Sequence, residues 1–82
     1  MRVQVLLFGP ERTAAGQDRI AVEFASAPVT CAAIRARLGE QMPTLRPHLA
    51  CSRFAVNGEF ASDDAAVHER DEIALIGLVS GG

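Results

Sequence analysis

The chain has 82 residues, a formal net charge of −2 and a hydrophobic content of 49%. This length predicts one small domain that buries about 60% of its unfolded surface. All eight cationic residues are arginines and they form no basic stripe, which excludes a nucleic-acid-binding protein. No apolar run approaches the ~20 residues of a membrane span and no signal peptide is evident, which predicts a cytoplasmic protein without a membrane partner.

Alternating apolar residues predict a first strand in RVQVLLF and a second in RIAVEFA, joined as an antiparallel hairpin. In the first strand, Leu6 and Phe8 begin to fill the second face, so we expect that end to be covered on both sides. The connection contains Pro10, which suits the first turn of a helix, and Gly16, which suits its left-handed exit. The inward-facing side chains of the two strands are predicted to be Val3, Val5, Leu7, Ile20, Val22 and Phe24.

One main helix follows, with Thr30 as a plausible N-cap and Pro43 preventing its continuation. Its apolar and polar residues recur at helical spacing on opposite sides. The predicted inner side carries Cys31, Ile34, Leu38 and Met42, and the outer side carries Arg35, Arg37 and Glu40.

The second half of the chain is predicted to complete a sheet. TLRPHL indicates a short turn that tucks Leu45 and Leu49 against the core, and Asn57-Gly58 is a strong hairpin signal. DDAAVHERD is predicted to be a turn region, and the near-continuous apolar stretch EIALI is typical of a central strand. The order predicts a two-layer α+β domain in which the first and last strands lie together at the centre of a mixed sheet.

The body of this domain offers no catalytic constellation. Cys31 and Cys51 are interpreted as small, semi-buried hydrophobes, and His48 with Cys51 is half of a metal site whose other half is missing, so we predict no metal. The acidic residues cluster in predicted turns, which favours a solvated rim and leaves an acidic docking surface as the alternative. These residues are Asp63, Asp64, Glu69, Asp71 and Glu72.

The chemistry is therefore expected in the C-terminal LVSGG. Gly81 and Gly82 have no Cβ, so their backbone can pass through a channel too narrow for other residues. A terminal carboxylate has a pKa near ~3.5 and is a poor electrophile until it is activated, for example by adenylation with ATP. Sulfur would then give a thiocarboxylate and an amine would give an isopeptide, and a disordered end without function remains the plain alternative.

Four segments together resemble the small subunit of molybdopterin synthase: VQVLLFG-PERTAAG, TCAAIRARLGEQ, FAVNGEF and HERDEIALIGLVSGG. The resemblance covers essentially the whole chain. It implies a β-grasp, ubiquitin-like domain over residues 1–76 and a flexible tail over residues 77–82. It also implies that an E1-like enzyme adenylates Gly82 and that the product becomes a thiocarboxylate, with a sulfurtransferase as a further partner.

In this family the tail enters the large, catalytic subunit and gives its sulfur to cyclic pyranopterin monophosphate. The resemblance thus implies a sulfur-donor subunit that is not an enzyme on its own and that binds no cofactor beyond these transient covalent forms. Gly81 would thread the channel that leads to the reaction. The residues expected to contact the large subunit are Phe60, Ile76, Leu78, Val79 and Ser80.

The chain departs from the family pattern at two places. Gly77-Leu78 stand where Pro-Pro is usual, and Arg70 stands where a glycine is usual before the last strand, which is costly if φ there is positive. Because proline would stiffen the tail, a Gly77→Pro substitution is expected to tighten binding to the large subunit.

Three alternative functions share the fold: a sulfur carrier of the thiamine pathway, a ubiquitin-like protein modifier, and an interaction module with an idle tail.

Overall fold

The computed structural model describes residues 1–77. The strands in this part of the chain are β1 (Arg2–Leu7), β2 (Arg19–Glu23), β3 (Val29–Thr30), β4 (Ser52–Val56), β5 (Glu59–Ala61), β6 (Ala66–Val67) and β7 (Ile73–Gly77). The helices are α1 (Gly9–Ala15), α2 (Cys31–Gln41) and α3 (Arg46–Leu49), with a 3₁₀ turn at Pro43–Leu45. None of these helices is long and apolar enough to cross a bilayer.

The main sheet has five strands in the order β2-β1-β7-β4-β5. β1 pairs with β2 and β4 pairs with β5 and β7, all antiparallel, whereas β1 and β7 run parallel. The prediction that the first and last strands lie together at the centre of a mixed sheet is confirmed. β7 continues through Gly77, which the sequence placed as the first residue of the tail.

The core lies between one face of this sheet and the helices. Thr30 accepts a hydrogen bond from the Ala33 N–H at 3.1 Å, which confirms it as the N-cap of α2. The predicted inner side of α2 is confirmed for three residues, while Met42 lies just past the helix end and is half-buried. The buried apolar residues are Val3, Val5, Leu7, Ile20, Val22, Cys31, Ile34, Leu38, Leu45, Leu49, Phe54, Val67, Ile73 and Leu75.

Arg35 is less exposed than the helical pattern predicts. Its guanidinium lies 5.2 Å from the ring centroid of Phe54 and donates hydrogen bonds to the carbonyl oxygens of Leu49 and Ser52. It also pairs with Asp63 at 3.1 Å. The methylene groups of Arg35 therefore cover the end of the core, while its guanidinium pairs with polar groups at the protein surface.

The predicted turn residues occupy the conformations expected of them. Asn57 and Gly58 have φ of 52° and 83°, as a tight β4–β5 hairpin turn requires. Gly16 ends α1 with φ 71°, and Pro10 lies in the first turn of that helix. Within residues 1–77, Asn57 is the one non-glycine residue with positive φ, so Arg70 carries no left-handed strain.

A small second sheet of two strands has no signal in the amino-acid sequence. β3 and β6 pair antiparallel, with Val29 opposite Val67 and Thr30 opposite Ala66. Strands of two residues are too short to show a period of two, so the pattern of DDAAVHERD predicts a turn alone. The pairing ties the start of α2 to the segment that precedes β7.

Candidate functional site

The outer face of the sheet carries an exposed apolar groove of about 340 Å³. The other face is covered by the helices, so this groove lies opposite the core. Two phenylalanines are strongly exposed there, Phe8 at 51% and Phe60 at 56%. The outer groove, as we call it, is lined by Phe8, Ala55, Gly58, Phe60, Glu72, Ala74 and Ile76.

Strand register explains the shape of the outer groove. Ala74 lies opposite Leu6 on one side and Ala55 on the other, and Ala55 in turn lies opposite Phe60. Two alanines in the middle of the row leave a depression between larger side chains at its ends. Exposed apolar surface of this kind on a small domain is typical of a protein–protein contact.

Arg53 flanks the groove and faces Ile76 across the β4–β7 pair. Its guanidinium lies 4.8 Å from the centroid of the Phe60 ring, close enough for a cation–π interaction. At an exposed site such a contact contributes about 0.5–1 kcal/mol toward one orientation of the ring. A partner that covers Phe60 would also cover this contact.

Of the residues expected to contact a partner, the structure brings Phe60 and Ile76 together in the outer groove. Leu78, Val79 and Ser80 lie outside the described residues, as do Gly81 and Gly82. Ile76 is the neighbour of Gly77, where β7 ends, so the groove reaches the point from which residues 78–82 continue.

Sequence reasoning missed Phe8 as a groove residue. It was expected to be covered, but β1 ends at Leu7 and no described element packs on the outer face beside it. The parity of the strand was the available signal, since Phe8 lies on the opposite side from Val5 and Leu7. A second apolar face in a strand can mark an interface as well as a buried layer.

A hydrogen-bonded clamp shapes one end of the groove. Asp71 accepts hydrogen bonds from the His68 N–H at 2.7 Å and from the Asn57 amide at 3.0 Å, and Asn57 accepts one from the Glu72 N–H at 2.9 Å. The backbone N–H of His68, and then the Asn57 amide, lower the pKa of Asp71 below its usual value. The carboxylate therefore fixes the β4–β5 turn against the segment that enters β7.

The remaining acidic residues fit the interpretation of a solvated rim. Asp63, Asp64 and Glu69 are exposed, and Asp63 pairs with Arg35. Within residues 1–77, no group of three or more histidine, cysteine or acidic side chains is placed to hold a metal. The structure thus assembles no cation site from these clusters in the part of the chain that it describes.

The two cysteines differ in their surroundings. Cys31 is fully buried, and burial, followed by the charge of Asp63, raises the pKa of its thiol while Arg35 opposes the shift. A protonated buried thiol is inert as a nucleophile. The interpretation of Cys51 as semi-buried is wrong, because Cys51 lies in the turn between α3 and β4 and is exposed.

A buried carboxylate lies beside the end of β7. Glu11, in the first turn of α1, is 4% exposed, and its Oε2 lies 3.4 Å from Nδ1 of His48. The sequence offered no signal for this, because an acidic residue at a helix start is typically solvated and favourable there without burial. Its position brings a carboxyl group to the end of β7.

These features define a β-grasp domain of the ubiquitin-like kind, with an exposed apolar groove beside the end of its last strand. The chain belongs to the ThiS family, whose sequence profile matches residues 5–82.

Three comparisons describe its relatives. The chain is 32% identical over its whole length to the molybdopterin synthase sulfur carrier subunit of Arabidopsis thaliana, of which it covers 84%. It superposes on SAMP1 from Haloferax volcanii with a TM-score of 0.86 at 24% identity, with complete coverage of both chains. It also superposes on a chain in the complex of subunits 1 and 2 of molybdopterin-converting factor from Helicobacter pylori, with a TM-score of 0.69 at 23% identity and complete coverage.

Proposed function

We propose that this protein is the sulfur-carrier subunit of a molybdopterin synthase. The observation that carries the proposal is the 32% identity, over the whole chain, to a molybdopterin synthase sulfur carrier subunit. The β-grasp fold supports it, because the central strand β7 leads from the core directly into the segment that contains Gly81 and Gly82. In this proposal the domain that ends with β7 at Gly77 is the scaffold, and residues 78–82 deliver the sulfur.

The reacting group in this proposal is the carboxylate of Gly82. An oxygen of that carboxylate attacks the α-phosphate of ATP, bound to an E1-like enzyme, and pyrophosphate leaves. Hydrosulfide (HS⁻) supplied by a sulfurtransferase then attacks the acyl carbon and displaces AMP, and loss of the proton leaves a thiocarboxylate. Gly81 has no Cβ, so the backbone before the reacting group can pass through a narrow channel. The thiocarboxylate gives its sulfur to cyclic pyranopterin monophosphate, and water replaces the sulfur at the acyl carbon, which restores the Gly82 carboxylate.

The large subunit supplies the catalytic groups in this scheme, and the outer groove is the surface that binds it. The Helicobacter pylori relative is a complex of subunits 1 and 2, which supports a two-subunit assembly. Phe60 and Ile76 contact the large subunit from the groove, and Leu78, Val79 and Ser80 continue that contact toward the reaction. The chain itself is thus a donor subunit and not an enzyme on its own.

A ubiquitin-like protein modifier is the second candidate, favoured by the TM-score of 0.86 to SAMP1, a small archaeal modifier protein. In that case the activated Gly82 would end on an amine of a target protein. The thiamine-pathway sulfur carrier differs from the proposed function in the acceptor of the sulfur alone. Activation is common to all three, so the acceptor is what discriminates among them.

The proposal is tested by incubating the protein with an E1-like enzyme, ATP and a sulfur source, and measuring its intact mass. We expect the mass to rise by the exchange of one oxygen for one sulfur, and the sulfur to pass to cyclic pyranopterin monophosphate when the large subunit is added. A chain that keeps its mass under conditions in which an established sulfur carrier is converted would contradict the proposal. A covalent adduct on lysines of other proteins would favour the modifier.

Phe60→Ala is expected to weaken binding to the large subunit by about 2 kcal/mol, equivalent to roughly 30-fold in Kd. The reason is that Phe60 is a large aromatic ring, 56% exposed in the groove, so a partner that covers it buries much apolar surface. Isothermal calorimetry with the purified large subunit measures the change. Glu59→Ala is the matched control, because the alternation of a strand directs the neighbouring side chain to the other face. An unchanged Kd for Phe60→Ala would exclude the groove from the interface.

A further inference from the structure

The space beside Gly77 on the inner face of the sheet is already occupied. A Cβ placed on Gly77 would lie 2.9 Å from Oε2 of Glu11 and 3.0 Å from its Cδ, and closer still to Oε1. Separations below 3.0 Å are essentially never seen for real Cβ atoms. A residue with a Cβ at position 77 therefore requires the Glu11 carboxylate, the end of a flexible but buried side chain, to move.

The Glu11 side chain is enclosed from more than one side. It is 4% exposed, it belongs to α1, which packs on β7, and its carboxylate faces Nδ1 of His48 on α3. The carbonyl oxygen of His48 accepts hydrogen bonds from Cys51 N–H at 3.1 Å and from Ser52 Oγ at 2.6 Å, which fixes α3 to the start of β4. Ser52 lies opposite Gly77 in the sheet, so α1, α3 and the start of β4 together surround the Glu11 side chain at the end of β7.

Burying a carboxylate is unfavourable unless its charge is met, so its presence at this place calls for a physical reason. Glycine has the widest range of backbone angles of any residue and loses the most freedom on ordering. A group that fills the space of the missing Cβ excludes backbone angles that would turn the glycine toward it. The Glu11 carboxylate fills that space beside Gly77, so it limits the backbone angles open to a residue that has no side chain to limit them.

We propose that Glu11 is a positioning residue for residues 78–82, matched to Gly77: the carboxylate confines the glycine, and the glycine leaves room for the carboxylate. The inference rests on the proposed function, in which those residues carry sulfur to a partner. It also accounts for Gly77 standing where the family pattern has proline. A proline ring contains a Cβ, which would meet the same carboxylate.

The test compares Gly77→Ala, Glu11→Ala, Glu11→Gln and the double variant Glu11→Ala/Gly77→Ala. Gly39→Ala is the control for adding a methyl group, because its Cβ would meet Leu49 at an ordinary 3.4 Å. One readout is the ¹⁵N order parameter of the Gly77 amide, which depends on no partner. The other is the separation of KM from kcat in sulfur transfer to the large subunit.

Glu11→Ala is expected to lower the Gly77 order parameter and to raise KM about two- to fivefold with kcat unchanged, the range that one unrestricted backbone position contributes. Glu11→Gln keeps the shape of the side chain and should retain both values. Gly77→Ala should raise KM and lower the denaturation midpoint, and the double variant should restore both. Gly39→Ala should leave KM and the order parameter unchanged.

Two results would overturn the inference: a Glu11→Ala order parameter equal to that of the wild type, or a Gly77→Ala variant that folds and transfers sulfur normally. If the order parameter falls as expected while no variant, including the wild type, acquires sulfur, the positioning role of Glu11 stands and the proposed function fails. The two failures are therefore distinguishable.

Discussion

Deletion of Gly82 is expected to abolish sulfur transfer and to leave the free energy of unfolding unchanged. The buried apolar residues of the described chain fall between Val3 and Leu75, so the deletion removes none of them. The new terminus at Gly81 is still a carboxylate, but it ends about 3.5 Å short of the position that the reacting group has to reach. Chemistry that needs atoms within ~3–3.5 Å of one another does not tolerate such a displacement.

The measurement is single-turnover sulfur transfer with the E1-like enzyme, ATP, a sulfur source and the large subunit, alongside urea denaturation of each variant. A chain extended by one residue after Gly82 is the matched control for reach, and it should fail as well. Gly81→Ala should fold normally and be adenylated slowly if the channel excludes a Cβ. A shortened chain that transfers sulfur at the wild-type rate would show that Gly82 is not the reacting residue.

Phe54→Ala is expected to lower the free energy of unfolding by about 3–5 kcal/mol. The ring is fully buried on β4, at the inner face of the sheet, and it lies under the guanidinium of Arg35. Its removal reduces the buried apolar surface and leaves a cavity. It also removes the aromatic face that contacts the guanidinium of Arg35. Native domains have a total stability of about 5–15 kcal/mol, so this one substitution removes a large part of the stability of the domain.

Urea denaturation followed by circular dichroism measures this change, and Phe60→Ala supplies the control. Both residues are phenylalanines of the same hairpin, but Phe60 is 56% exposed on the outer face. Its removal should change the free energy of unfolding by less than about 1 kcal/mol while weakening the partner complex. Equal destabilisation by the two substitutions would contradict the assignment of one ring to the core and the other to the interface.

Much of the fold followed from local signals. Some signals depend on only a few neighbouring residues, and each of these is confirmed: the spacing of apolar residues in β1, β2 and α2, the N-cap at Thr30 and the turn at Asn57-Gly58. The central position of β1 and β7 followed from their high apolar content, because strands in the middle of a sheet carry few polar side chains when both faces are covered.

Features set by distant contacts could not be predicted in this way. The burial of Glu11 depends on His48 and on the end of β7, and nothing near Glu11 in sequence indicates either. The same holds for Arg35, which the helical pattern placed outward and which bonds to the backbone of Leu49 and Ser52. Of the predicted contact residues, Phe60 and Ile76 lie in one groove, while those at 78–80 lie beyond the described residues.

The structure also changes the expectation for Gly77→Pro. Sequence reasoning predicted tighter binding, because proline stiffens a tail. The position that its ring carbon would take is occupied by the Glu11 carboxylate, so we now expect the single substitution to weaken binding. Stiffening should be gained where Glu11→Ala is introduced together with it.

The parallel pairing of β1 with β7 has a consequence for how the protein is made. Val5 pairs with Ile73, so the middle of the sheet joins the first strand to the last one in the described chain. The entropy cost of closing the long loop between β1 and β7 has to be met before their contacts form, and domains with many contacts between distant residues fold slowly. During synthesis, β1 and β2 have no partner strand on the β7 side until β7 leaves the ribosome. β7 is thus the strand that completes the sheet, and a chain that stops before it has only the separate pairs β1-β2 and β4-β5, with no central strand to join them.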